Sequence, residues 1–172
     1  MSDTRILENK KVLIVDDEPD ILEVLEELLD MCEVTKASSF EQASHLMETR
    51  EIDVAVLDIM GVNGYDLLNI AKRKGIPAVM LTAHAFSADN LVRTIKGGAY
   101  AYIPKEEISD IAVYLSDALA ARKTGRNPWQ SWDQRLPSSY FERRWGTTWK
   151  DRDKDFWHQF KAGLKEKREK KD

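Results

Sequence analysis

The sequence predicts an α/β fold: an open, doubly wound sheet of five parallel strands, followed by a helical extension. Two observations carry this expectation. Short apolar runs alternate strictly with helix-length amphipathic segments up to Arg122. Beyond Arg122 the composition changes sign and character: residues 1–122 hold 12 Lys and Arg against 22 Asp and Glu, whereas residues 123–172 hold 14 against 8 and carry all five tryptophans. Lys123-Thr-Gly-Arg-Asn-Pro128 is the natural boundary, since Gly and Pro punctuate structure. The expected organisation is therefore a domain over 1–122 and a Trp-rich extension over 123–172.

Each element has a local reason. Residues 11–15 are a continuous Val- and Ile-rich run, as in a parallel strand buried on both faces. Pro19 to Leu29 places Ile21, Leu22, Leu25, Leu28 and Leu29 at helical spacing, with Pro in the first turn. A weaker strand is expected at 33–37, and Ser38 or Ser39 can cap a helix over 40–49. Strand 53–57, helix 65–74, strand 77–81, helix 88–96, strand 99–103 and helix 107–122 complete the alternation. In the extension, 127–137 reads as an irregular, Pro-bounded connection with two aromatic anchors, Trp129 and Trp132. A capped helical turn is expected over 138–145, ending at Gly146, and a last helix over 151–167. Phe156, Phe160 and Leu164, with Trp157 beside them, form an apolar stripe that has to be buried.

Composition excludes several classes. The apolar stretches are too short to span a membrane, and residues 1–10 lack a signal-type apolar core, so the expected location is the cytoplasm. Cys32 is the only cysteine, which removes intramolecular disulfides and cysteine-rich metal sites.

Four strands end next to reactive groups: Asp16 and Asp17 after the first, Asp58 after the third, Thr82 after the fourth and Lys105 after the fifth. In open parallel sheets ligands bind beyond the carboxyl ends of the strands, so these five side chains should converge. Three carboxylates in one pocket repel each other unless a cation neutralises them. With only oxygen donors on offer, Mg²⁺ is favoured over zinc or copper. Metal, the Lys105 ammonium and the Thr82 hydroxyl together suit the oxygens of a phosphoryl group in flight. Asp58, alone at the end of the expected central strand, is then the nucleophile, and the adjacent pair Asp16-Asp17 is suited to holding metal.

These residues resemble the receiver domain of bacterial two-component response regulators, a flavodoxin-like fold. The resemblance covers about residues 10–122 and rests on Asp16-Asp17, Asp58 followed by Ile59-Met60 and a later Gly64, Thr82-Ala83, and Lys105. It implies that Asp58 accepts a phosphoryl group from a phosphohistidine of a sensor histidine kinase or histidine phosphotransfer protein. It also implies a signalling domain that catalyses only its own phosphorylation and dephosphorylation, and is otherwise not an enzyme. By the same resemblance Asp17 and Asp58 are Mg²⁺ ligands, Asp16 acts largely through water, and the carbonyl of Met60 completes the metal site. Lys105 binds the phosphoryl group, Thr82 turns inward to meet it, and Tyr102 is the aromatic switch whose rotamer follows Thr82. Met60 and His84 occupy the positions that tune dephosphorylation. An apolar Met60 cannot orient an attacking water, so a long-lived acyl phosphate is expected.

The chain also departs from the family. The loop Met60-Gly-Val-Asn-Gly64 lacks the usual Pro and reaches its Gly two residues early, and Lys105 is followed by Glu106 where Pro is common. The surface of 88–96, 99–103 and 107–122 is the family's usual dimer and effector face, so a homodimer is one implied assembly. The extension shows no zinc-site, P-loop or long helix-turn-helix pattern, and is too short for an ordinary DNA-binding domain. Its Trp and Arg could stack on bases, but Glu166 and Glu169 interrupt the basic end beside an acidic domain, which argues against nucleic acid. A haloacid dehalogenase-type phosphatase also sets an Asp and a Lys above a parallel sheet. It needs Asp-x-Asp after the first strand, where this chain has Asp16-Asp17-Glu18.

Overall fold

The computed structural model describes residues 4–83 and 86–171, with side chains described up to Leu164. Five parallel strands, β1 (Lys11–Val15), β2 (Glu33–Ala37), β3 (Val54–Asp58), β4 (Ala78–Thr82) and β5 (Ala101–Pro104), form one sheet in the order β2-β1-β3-β4-β5. All residues of β3 and β4 are buried, which explains why these runs show no polar alternation. The helices are α1 (Pro19–Leu28), α2 (Phe40–Thr49), α3 (Gly64–Lys74), α4 (Ala88–Lys96) and α5 (Ile111–Thr124). α1 packs beside α5 and α2 beside α3, while the Tyr65 hydroxyl of α3 reaches Asn90 and Thr94 of α4. Ser39 and Ser87 cap α2 and α4, their hydroxyls accepting from the backbone N–H of Gln42 and Asn90.

Strand order reverses between β1 and β3, so the crevice beyond their carboxyl ends is the natural ligand site of this topology. That is where Asp16, Asp17 and Asp58 lie.

Two segments show how the structure departs from the sequence-based expectation. The expected irregular connection over 127–137 contains a helix, α6 (Trp129–Arg135). The Asn127 side chain accepts from the Trp129 backbone N–H, Pro128 precedes the first turn, and the three-residue spacing of Trp129 and Trp132 puts both rings on one buried face. The helix expected over 107–122 begins only at Ile111, because Lys105–Asp110 is a 3₁₀ turn broken by the non-helical backbone of Glu107.

α7 (Ser138–Trp145) ends at Gly146 as expected, and a 3₁₀ turn at Asp151–Asp153 leads into α8 (Lys154–Lys171). Trp129, Trp132, Leu136, Phe141, Trp149, Trp157 and Leu164 belong to the same buried apolar cluster as the sheet. The stripe on α8 is thus covered by this chain itself: the Trp157 ring meets Trp149, and Phe160 meets Trp129. Among the described residues no helix is long and apolar enough to cross a membrane.

Candidate functional site

β1 delivers Asp16 directly into the crevice, and the Asp16 N–H extends the β1–β2 ladder by donating to the Ala37 carbonyl at 3.1 Å. Its side chain is fully buried, and Oδ1 accepts from the backbone N–H of Glu18 at 2.9 Å. Burial pushes the Asp16 carboxyl up, with the Glu18 N–H and Lys105 pulling the other way. Asp17 and Glu18 are exposed beside it, and one carboxylate oxygen from each of the three lies within 4.8 Å of the others.

Asp58 closes β3 and is 6% exposed. Its carboxyl is pushed up to about 7, first by burial and then by the charge of Asp16, with Lys105 opposing and Asp17 adding to the rise. Lys105, immediately after β5, spans the site. Its Nζ is 2.9 Å from Asp16 Oδ2, 2.9 Å from Glu18 Oε1 and 3.5 Å from Asp58 Oδ1. Burial works against the Lys105 charge, but these carboxylates outweigh it and hold the ammonium above its ordinary range. Thr82 ends β4 with 1% exposure, across from Pro104 in register.

Tyr102 lies fully buried on β5, its hydroxyl accepting from the Ser87 N–H at 3.0 Å and donating to the Ser87 carbonyl at 3.3 Å. His84 lies outside the described residues.

The short loop after Asp58 is held by buried Ile59 and Val62, while Met60 points outward at 55% exposure. The Gly64 N–H donates to the Ile59 carbonyl at 3.0 Å and closes the turn. Two glycines make this path available. A Cβ on Gly64 would run into the Asp58 carbonyl oxygen, and one on Gly61, whose φ is +85°, would lie 2.5 Å from Asp17 Oδ2. The loop therefore crosses directly against the Asp17 carboxylate. Beside the crevice is a cleft of about 270 Å³ lined by Thr82, Ala83, Phe86, Pro104, Lys105 and Glu106.

Of the residues singled out from sequence, Asp16, Asp58 and Lys105 meet directly, and Asp17 stands beside Asp16. Sequence reasoning missed Glu18, which shares the lysine. It noted Glu106 and the short loop, but not the contacts these make. An all-oxygen group of acids around one buried carboxylate fits a hard divalent cation. The crevice offers a buried carboxylate, a fixed ammonium and a hydroxyl, the equipment for receiving an anionic, electrophilic group on Asp58.

The family model for the response regulator receiver domain matches residues 12–114. Among curated proteins, the chain is 28% identical over 138 residues to the transcriptional regulatory protein YvrH of Bacillus subtilis, covering 74% of this chain and 58% of that protein. It is 38% identical over 82 residues to the heme response regulator HssR of Staphylococcus saprophyticus, covering 45% and 37% respectively. The chain thus spans little more than half the length of these relatives, or less. Among solved structures, a CheY-like receiver domain protein from Methanospirillum hungatei superimposes with a TM-score of 0.62 at 28% identity, covering 69% of this chain and 99% of that one. A receiver domain protein from Clostridium thermocellum gives 0.59 at 30% identity, covering 67% and 98%.

Proposed function

Since the chain belongs to the response regulator receiver domain family of two-component signalling, we propose that Asp58 accepts a phosphoryl group from a phosphohistidine. The observation that carries this reading is the position of Lys105, whose Nζ stands 2.9 Å from buried Asp16 and 3.5 Å from Asp58. One Asp58 oxygen attacks phosphorus in line. The new O–P bond makes an acyl phosphate as the donor's N–P bond breaks, and the electron pair leaves on the imidazole. Lys105 can then pair with one phosphoryl oxygen and the Thr82 hydroxyl donate to another. Asp16, Asp17, Asp58 and the Met60 carbonyl would hold Mg²⁺, with Glu18 beside them. When bound it would supply the positive charge that keeps neighbouring carboxylates ionised and neutralises phosphoryl oxygens. The donor is a sensor histidine kinase or a histidine phosphotransfer protein.

Incubation with Mg²⁺ and acetyl phosphate, followed by intact-mass measurement, should show one phosphoryl group on the wild type and none on Asp58→Asn. Equal incorporation by both proteins, or turnover of phosphate esters without a stable adduct, would overturn the reading.

A further inference from the structure

The end of the sheet opposite Asp58 carries a group of cations that the phosphoacceptor reading does not use. Lys10 precedes β1, Arg122 and Lys123 lie in the last turn of α5, and Arg126 follows that helix just before α6. Arg122, Lys123 and Arg126 are exposed and Lys10 is half-buried. Among the described residues none of the four is ion-paired, whereas Lys11, Lys36, Arg73 and Lys74 each hold a carboxylate. The dipole of α5 accounts for cations in its last turn, but not for Lys10 or Arg126, which other segments bring to the same place. Two clefts lie among these side chains. One, of about 430 Å³, opens below β1, β3 and β4 and is lined by Lys10, Pro77, Arg122 and Lys123. The other, of about 600 Å³, lies between the 3₁₀ turn Thr4–Leu7, α5 and the start of α6, with Arg5, Lys123, Arg126, Asn127 and Ser131 on its walls. Ile6 and Lys123 line both, so the clefts adjoin. Each cleft has one carboxylate, and each is engaged: Asp53 accepts from the Lys11 backbone N–H at 2.8 Å, and Asp117 is held by Arg135.

The structure assigns the two clefts to one anionic ligand, a small molecule carrying two or more linked phosphate groups, with Lys123 between them. Like charges gathered without a counter-charge repel one another, and an anion among them removes that cost. Phosphate oxygens suit this set, since arginine forks bind them in pairs and lysine meets them as a point charge. The cations are divided between two adjoining clefts that share Lys123, so a single phosphate engages one cleft whereas linked phosphates engage both. Each cleft falls within the roughly 300–1,000 Å³ of small-molecule pockets. A long polyanion fits less well. Trp129 and Trp132, the nearest indoles, are buried and offer no ring for a base to stack on. The rest of the domain, with 12 Lys and Arg against 22 Asp and Glu up to Arg122, repels an extended phosphate backbone.

The test is calorimetric titration of the full chain with pyrophosphate and with ADP, in EDTA so that no Mg²⁺ ties phosphate to Asp16 and Asp17. Both probes should bind the wild type, and inorganic phosphate should bind more weakly than either. Lys123→Gln combined with Arg126→Gln, both at exposed side chains, should weaken binding by about tenfold or more. Lys36→Gln combined with Arg73→Gln removes the same charge from other faces and should leave the affinity as it is. ADP binding more tightly than pyrophosphate identifies a nucleotide, and equal affinities identify the phosphates alone as the part that is read; either supports the assignment. Failure of both probes to bind overturns it, as does an equal loss in the two double variants or inorganic phosphate binding as tightly as pyrophosphate. A single-stranded oligonucleotide that binds more tightly than ADP, and is lost with Lys123→Gln and Arg126→Gln, would make this a nucleic-acid surface and overturn it too.

Discussion

Asp58 is a carboxylate that the fold makes costly to ionise. Its carboxyl is pushed up to about 7 by burial and by Asp16, whereas the unfolded chain would ionise it near 3.8. Between those values the folded protein holds a proton that the unfolded chain has released. The Asp58 contribution to metal-free stability should therefore fall as pH rises through this window and level off above it, by roughly 4 kcal/mol at most. Asp58→Asn removes that cost. In urea titrations with EDTA, the variant should be more stable than the wild type at pH 8 and no more stable at pH 4, and Mg²⁺ should narrow the gap at pH 8. A variant no more stable than the wild type at pH 8 would show that Lys105 already compensates the charge. The carboxylates and the lysine were legible because each follows an apolar strand. Glu18 as a partner of Lys105 was not, since the two are 87 residues apart.

The loop between β3 and α3 shows how a span of only five residues, 59–63, still closes. Asn63 adopts a left-handed backbone at φ 52°, Gly61 does so at +85°, and Ile59 and Val62 anchor the span in the core. Gly61→Ala would press a methyl group against the Asp17 carboxylate and strain the backbone as well. The expected result is Mg²⁺ affinity weakened by about tenfold, a cost of roughly 1.4 kcal/mol, with the far-ultraviolet circular dichroism of the wild type retained. Calorimetric titration with Mg²⁺ reads it, and unchanged affinity would show that Asp17 can move aside freely. The shortened loop was visible in sequence, but its path was not, because spacing alone does not say which side chain a glycine passes. The same holds for α6: its tryptophan spacing was present in the sequence, and the flanking prolines suggested a connection instead.

At the scale of the molecule, the extension completes the core and covers the edge strand β5. Trp132 bonds the β5 backbone, Arg135 of α6 pairs with Asp117 of α5, and Lys96 of α4 lies 5.3 Å from the Phe156 ring of α8. An exposed sheet edge beside buried aromatic rings invites association. Truncation after Thr124 should therefore lower the urea midpoint and raise binding of a hydrophobic dye; a truncated chain as stable and as dye-inert as the full one would count against this role. The sequence by itself determined the alternating α/β order, the carboxylates at the strand ends and the change of character after Arg122, because periodicity and strand termination are local properties of the chain. Only the tertiary structure decided that Lys105 bridges Asp16 and Glu18, that Gly61 lies against Asp17, and that Phe86 and Glu106 hold α7. These contacts join residues tens of positions apart, and they follow from how packed elements meet, which no local pattern encodes.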